Sequence, residues 1–186
     1  TSLDPIRLSR KIATSVSNQI EQTLSWRVIT TDDNVHRWLQ APLLLVQDPD
    51  ALPENQDVMR EYLDLGGLLL LFGDKNNAQL FTTYASEICP QSVPNATRQK
   101  HWSLNLIQNA EGIQIDSWND GVRDRIILVR QDPQKYSSKK QTQLTKAVVN
   151  ICCGAAELSK WRTRLSQQQI ELDRDAIVLA MHEGHW

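Results

Sequence analysis

The sequence predicts an α/β domain with a mainly parallel sheet of about five strands. Two apolar runs, Leu43–Val46 and Leu68–Phe72, contain no polar residue, which is typical of strands covered on both faces. Between them, an amphipathic segment that opens at Pro53 ends at Gly66-Gly67, a pair that suits the left-handed end of a helix. These segments form one βαβ unit of about thirty residues, in which the helix ends at Gly-Gly before the second strand. We expect the crossover of this unit to be right-handed.

The other elements are predicted from periodicity and from turn residues. Helices are predicted over Pro5–Leu24, over a brief turn that ends at Trp38, over Asn77–Ile88 and over Gln141–Leu165; strands are predicted over Trp26–Thr30, Ile126–Val129 and Ala176–Met181. Pro90, Pro94 and the polar stretch to Lys100 predict a loop. Since 186 residues with 40% hydrophobic side chains suit one core, we expect a single domain over residues 1–186.

Composition argues against two classes of partner. No apolar run approaches the roughly 18 residues that cross a bilayer, so we expect no membrane span in this chain. Twenty basic and 22 acidic residues give a net charge of −2, and neither sign forms a long run that would attract nucleic acid. The expected partner is therefore a protein or a small polar ligand.

The three cysteines are expected to be buried, reduced thiols. Cys89 stands alone, and Cys152 and Cys153 are adjacent, a spacing at which a disulfide is strained. Free thiols favour a reducing compartment such as the cytoplasm. A secreted fragment that lacks its leader would have the same composition, so an extracytoplasmic location stays open.

The order of these motifs resembles a known family. A helix that ends Tyr62-Leu63-Asp64-Leu65-Gly66-Gly67 precedes the strand Leu68–Phe72 and the turn Gly73-Asp74; further along come Glu111-Gly112-Ile113 and Val149-Asn150-Ile151. Over most of its length the chain resembles an uncharacterised bacterial domain family related to the class I glutamine amidotransferase-like superfamily. The resemblance implies a flavodoxin-like, three-layer sandwich.

One strand is out of place relative to that family. The family begins with a strand like Ile177–Ala180 followed by a Gly-Trp turn, whereas here such a strand comes last, followed by Glu183-Gly184-His185-Trp186. Either the domain is circularly permuted, or this segment begins a second copy in a longer protein. A flavodoxin-like sheet has its first strand in the middle, so Ala176–Met181 is predicted to insert in parallel between the strands that begin at Trp26 and Leu43. The predicted order, by first residue, is Trp26, Ala176, Leu43, Leu68, Ile126.

The segment Asn150–Leu158 resembles the nucleophile elbow of an amidotransferase, with Cys152 as the nucleophile. An elbow needs a strand that ends at the cysteine, and Ala147–Ile151 is a candidate for that strand. The apolar spacing, however, continues unbroken from Leu144 to Leu165, which favours one helix with core cysteines. Asn150 and Ala156 also replace the motif's Gly and Gln, so Cys152 with His182 and Glu183 is kept only as an alternative catalytic set.

Ligand binding is expected at the carboxyl ends of the parallel strands. Residues that follow apolar strands should converge there: Gln47, Asp48, Gly73, Asp74, His182, Glu183 and His185. In the superfamily the turn that holds Gly73 and Asp74 is a second place for a nucleophile, but Asp74 carries no thiol. An aspartate in such a turn more often caps the following helix than binds a ligand.

No metal site or cofactor is predicted. His182, Glu183 and His185 have the chemistry to bind zinc, but their spacing is not diagnostic. His36 and His101 are isolated and are interpreted as structural or exposed. The sequence therefore favours a noncatalytic binding or protein-interaction module of a larger bacterial protein. The alternatives are a cysteine-dependent hydrolase or amidotransferase that uses Cys152 and a metal-dependent enzyme centred on His182.

Overall fold

The chain forms helices and one mixed sheet in a computed structural model that describes residues 5–20, 26–28, 33, 35–74, 76–92, 94–95, 101–104, 106, 109–130 and 142–155. The helices are α1 (Pro5–Ile20), α2 (Val35–Trp38), α3 (Gln56–Asp64), α4 (Ala78–Ile88) and α5 (residues 142–155). The strands are β1 (Leu43–Val46), β2 (Leu68–Phe72), β3 (Pro94–Asn95), β4 (Ile115–Asn119) and β5 (Asp124–Val129), and short 3-10 turns cover Pro49–Ala51 and Trp102–Leu104. The predicted α/β class is confirmed.

The sheet has the order β1-β2-β5-β4-β3. β1 is parallel to β2, and β2 is parallel to β5, with Leu44 opposite Leu69 and Leu70 opposite Ile127. β4 runs antiparallel to β5, and the two-residue β3 runs antiparallel to β4. One half of the sheet is therefore parallel, and the neighbour relations predicted for the strands beginning at Leu43, Leu68 and Ile126 are confirmed.

Alternate residues of the parallel strands belong to two separate core clusters. Leu68 and Leu70 pack with apolar residues of α1 and α5, whereas Leu69 and Leu71 pack with apolar residues of α2, α3 and α4. All five residues of β2 are buried, so this strand is covered on both faces as its sequence predicts. α3, the connection between β1 and β2, and α5, which follows β5, thus lie against opposite faces of the sheet.

The Gly-Gly pair ends α3 in the predicted left-handed cap. Gly66 has φ 101°, and its N–H donates to the Leu63 carbonyl at 3.2 Å while the Gly67 N–H donates to the Tyr62 carbonyl at 2.9 Å. This pair of bonds is the Schellman arrangement, in which a positive φ is accessible to glycine at little steric cost. The turn brings the chain directly into β2.

Several predicted boundaries are corrected. Residues 26–28 of the predicted strand Trp26–Thr30 are not strand, and the Val28 side chain is 69% exposed, so it has no core against which a strand would be stabilised. α3 begins at Gln56 rather than at Pro53 because Asn55 caps it, accepting a hydrogen bond from the Asp57 N–H at 3.0 Å.

Strand β4 was not predicted, and Pro94–Asn95, expected in a loop, pairs with it. Its sequence, Ile-Asp-Ser-Trp-Asn, lacks the apolar run that marks β1 and β2. Asp116 and Ser117 are nevertheless buried in it. Polar strand residues with hydrogen-bonding partners elsewhere in the fold give no apolar signal in the sequence.

Parts of other predictions lie outside the described residues. These are residues 21–24 of the first helix, residues 29–30 of the strand at Trp26, residues 156–165 of the late helix, and the whole of Ala176–Met181. The predicted insertion of that last strand stays a prediction. None of the described helices is long and apolar enough to cross a membrane.

Candidate functional site

Four of the predicted ligand-binding residues lie at one edge of the sheet. Gln47 and Asp48 follow β1, and Gly73 and Asp74 follow β2. Since β1 and β2 are parallel, with Val46 opposite Leu71, both pairs leave the sheet at its carboxyl edge. His182, Glu183 and His185, predicted at the same edge, lie outside the described residues.

Asp48 acts as a helix cap. Its side chain is exposed, and Oδ1 accepts a hydrogen bond from the Asp50 N–H at 3.1 Å at the start of the 3-10 turn. Pro49 takes the first position of that turn, where its missing N–H costs nothing. The aspartate therefore orders the first loop of the carboxyl edge.

Asp74 orders the second loop in a similar way. Its Oδ1 accepts hydrogen bonds from the Asn76 N–H at 2.8 Å and the Asn77 N–H at 3.1 Å. Its own N–H donates to Asn77 Oδ1 at 2.6 Å, so each side chain binds the other residue's backbone just before α4. Asp74 therefore orders the turn before α4, whereas the N-cap of the helix itself is Asn77, which makes no side-chain capping hydrogen bond.

Gly73 allows α4 to approach β2 and β5 closely. A Cβ atom at this position would lie 2.9 Å from Ala78 Cα and 3.1 Å from Leu128 Cδ1, closer than packed carbon atoms lie. The Gly73 N–H also donates to the Val129 carbonyl at 3.0 Å. This glycine is required by packing at the edge.

Gln47 differs from the two aspartates because its amide is not satisfied. The Nε2 atom is buried and has no hydrogen-bond partner among the described residues. Leaving a buried donor without a partner costs about 1–3 kcal/mol, so an acceptor bound beside this atom would be stabilising. Of the predicted site residues that the structure describes, Gln47 gives the clearest indication of a bound acceptor.

Arg130 adds a guanidinium, paired with a carboxylate, to the same edge, and the sequence analysis missed it. It follows β5 directly, and its Nε pairs with Asp116 Oδ2 while its Nη2 lies 3.4 Å from Thr82 Oγ1 on α4. The rule that selected Gln47, a polar residue just after a parallel strand, selects Arg130 equally well. The carboxyl edge thus carries an amide donor, two carboxylates that order its loops, and a guanidinium paired with Asp116.

A second polar cluster, which was not predicted, contains a serine, a histidine and an aspartate. Ser103 Oγ lies 2.6 Å from His101 Nδ1, and His101 Nε2 lies 3.0 Å from Asp124 Oδ2. Trp102 Nε1 also donates to Asp124 Oδ2, and Asn119 Nδ2 donates to Oδ1 at 3.1 Å. Asp124 begins β5, so this cluster lies at the amino end of a parallel strand, away from the carboxyl edge.

The geometry of this cluster suits structure rather than nucleophilic catalysis. Ser103 is completely buried, so its hydroxyl is closed to any substrate. His101 Nε2 is close to the carboxylate, but the direction of its N–H does not give an aligned hydrogen bond. Burial opposes ionisation of Asp124, but the close polar contact with His101 and the hydrogen bond from Trp102 outweigh it and lower the pKa of that carboxyl.

The cluster is also joined to α5. Asn150 Nδ2 donates to the Ser103 carbonyl at 2.7 Å within the core. The Trp102 ring lies against Gly154, where a Cβ atom would be only 2.4 Å from Trp102 Cζ3. These contacts hold the segment around His101 between β5 and α5.

The cysteines lie where the helical prediction placed them. Residues 147–155 are helical throughout, so the alternative in which Ala147–Ile151 forms a strand before an elbow is wrong. Cys152 and Cys153 are buried on α5, as predicted. Burial, with a smaller contribution from Cys153, raises the pKa of Cys152 to about 12, which disfavours the thiolate that a nucleophile needs. Burial likewise raises the pKa of Cys89.

Comparison with protein-family models, with curated proteins and with solved structures found no match to this chain. Among the described residues, no group of three or more His, Cys, Asp or Glu side chains is arranged to hold a metal ion.

Proposed function

We propose that this chain is a noncatalytic binding or interaction module of a larger bacterial protein, and that its ligand contacts the carboxyl edge. One observation carries the proposal: the buried Nε2 atom of Gln47 lacks an acceptor in the part of the chain that the structure describes, at the edge where α/β sheets bind ligands. Arg130 supplies a guanidinium at the same edge. A carboxylate, phosphate or carbonyl oxygen is the chemistry that both groups recognise.

The ordered loops around the edge support the same proposal. Asp48 and Asp74 are engaged with backbone N–H groups, so they fix the loop that contains Gln47 and the neighbouring loop after β2. A site whose loops are held by caps loses little entropy when a ligand binds. The two aspartates then act as positioning residues.

We assign the chain a flavodoxin-like, three-layer arrangement within the class I glutamine amidotransferase-like superfamily. The two core clusters on opposite faces of the parallel strands support this assignment, as does the βαβ unit that ends in Gly66-Gly67. The alternative of a Cys152-dependent hydrolase receives no support from the thiol's burial and raised pKa.

NMR titration with minimal oxygen acceptors tests the site. Acetate, inorganic phosphate and acetamide, each at millimolar concentration, are expected to shift the amide signals of Gln47, Asp48, Gly73 and Asp74 and the side-chain amide of Gln47. Gln47→Leu should abolish these shifts without loss of stability, because it removes an unsatisfied buried donor. Gln79→Leu, on the exposed face of α4, is the matched control. Shifts that persist in Gln47→Leu, or that occur only at the amino ends of the strands, would contradict the proposal.

A further inference from the structure

The guanidinium of Arg130 is held in a fixed orientation by two neighbours. Its Nε donates to Oδ2 of Asp116, a buried residue of β4. Its Nη2 lies 3.4 Å from Thr82 Oγ1, and this hydroxyl donates to the Ala78 carbonyl at 2.8 Å, so it faces Arg130 as an acceptor. A carboxylate and a hydroxyl thus orient the guanidinium between β4 and α4.

The rest of this guanidinium is accessible to a ligand. The Arg130 side chain is 38% exposed, and in the part of the chain that the structure describes both N–H groups of Nη1 and one of Nη2 have no hydrogen-bond partner. Nη1 and Nη2 are the two atoms between which a guanidinium can bind a carboxylate through parallel hydrogen bonds. Because Asp116 already balances the positive charge, a monoanionic carboxylate fits this position better than a phosphate dianion.

The donor at Gln47 favours a neutral acceptor. Its buried Nε2 has no partner among the described residues, and the loop that contains it also carries Asp48 and Asp50. No basic residue occurs within residues 47–52. The two carboxylates would repel an anion, whereas a carbonyl oxygen can accept the hydrogen bond without bringing a charge.

The two donors are too far apart to share one small ion. β2 lies between β1 and β5, so Gln47 and Arg130 leave the sheet two strand spacings apart, about 10 Å. Asp116 lies on β4, on the far side of β5, so its bond to Arg130 directs the guanidinium away from Gln47. A molecule that contacts both donors must therefore carry two acceptors and cross the end of β2 at Gly73.

We infer that the carboxyl edge binds the carboxyl-terminal end of a peptide, with its carboxylate on Arg130 and an amide carbonyl on Gln47. Three extended residues span about 10 Å, so such a peptide carries an anionic and a neutral acceptor at the required separation. This ligand class rests on the proposed function, in which the ligand contacts the carboxyl edge. Arg130 is then the residue that distinguishes an acid from an amide.

N-acetyl-triglycine and its carboxyl-terminal amide test this ligand class, because they differ only in the charged group. In NMR titrations of the full chain, the acid should bind about 10- to 100-fold more tightly, the factor expected for hydrogen bonds between charged groups. It should shift the Nε–H signal of Arg130 and the side-chain amide of Gln47 together. Arg130→Gln should lower the affinity for the acid to that for the amide. Arg37→Gln, which removes a surface arginine of α2, is the matched control and should leave the preference unchanged.

The wild-type comparison decides the question even if Arg130→Gln fails to fold. Equal affinities for acid and amide, binding of neither peptide, or an acid that shifts Arg130 without Gln47 would overturn the ligand class. A preference for the acid that persists in folded Arg130→Gln would do the same. If acetamide still shifts the Gln47 amide in any of these cases, the proposed function stands and only the peptide assignment fails. If acetate, phosphate and acetamide also leave the edge unchanged, both fail.

Discussion

The ring of Tyr62 occupies the space that a side chain at residue 67 would need. A Cβ atom on Gly67 would lie 2.1 Å from Tyr62 Cζ, and the tyrosine hydroxyl donates to the Ala41 carbonyl at 3.0 Å. The tyrosine thus joins the end of α3 to the segment before β1, and Gly67 is the residue that lets it do so. The Gly-Gly pair has two different requirements: positive φ at Gly66 and space at Gly67.

Gly67→Ala is therefore expected to destabilise the protein by about 1–3 kcal/mol, the usual cost of overpacking a core. Chemical denaturation with urea measures the loss in free energy of unfolding. Gly112→Ala is the matched control, because Gly112 has φ 73° and no atom within 4 Å of an added Cβ. Gly112→Ala should therefore cost only the backbone strain of an alanine at positive φ, about 1–2 kcal/mol. If Gly67→Ala lowers the free energy of unfolding by the same amount in a Tyr62→Leu background, a clash with the Tyr62 ring is not the cause.

Arg123 should contribute more to stability than an exposed ion pair does. Its guanidinium donates to the carbonyls of Leu63 and Gly67, which ties the β4–β5 turn to the end of α3. Arg123→Met is expected to cost about 1.5–3 kcal/mol, the range for hydrogen bonds from a charged group. Arg37→Met breaks the surface pair with Asp33 and should cost about 0–1 kcal/mol. Equal losses in urea denaturation would argue against a special role for Arg123.

Asp124 should make the stability of the folded protein sensitive to acid. Its pKa is lower in the folded chain than the value of about 3.9 expected in the unfolded chain, so the unfolded state binds its proton first. Its stabilising contribution is fully present above that unfolded value and is lost as pH falls through the folded pKa. Unfolding free energies of the wild type and of Asp124→Asn, measured from pH 6 down to pH 2.5, should therefore converge in acid. A constant difference over that range would refute this assignment.

The three thiols should react slowly in the native protein. All are buried, and burial raises the pKa of Cys89 and Cys152. Iodoacetamide at pH 7.5 should modify them at rates at least about 100-fold below those in denaturant, because the reactive thiolate is scarce and covered. Mass spectrometry of peptides from a time course assigns each rate. Rapid native alkylation of Cys152 would favour the hydrolase alternative instead.

Local structure that depends on residues close together in the chain was predictable from the sequence. The apolar runs of β1 and β2, the cap at Asp48, the turn at Gly73-Asp74 and the Gly-Gly end of α3 all depend on residues within about six positions of each other. The helical placement of Cys152 also followed from periodicity along α5. For these elements, pattern and turn chemistry determine the local structure before any long-range contact is made.

Only the tertiary structure decided which distant polar residues meet. His101 is isolated in the sequence, yet Asp124 reaches it, and Arg130 meets Asp116 across the β4–β5 pair. β4 was missed because its buried Asp116 and Ser117 remove the apolar alternation that identifies a strand. Such contacts form only when the strands pair and α5 packs, because these steps bring together residues that are far apart in the chain. No local sequence pattern specifies which distant residues will meet. The sequence by itself thus determined the α/β class and the loops of the carboxyl edge. The fold decided that the buried Nε2 atom of Gln47 has no partner among the described residues and that Ser103, His101 and Asp124 form one closed cluster.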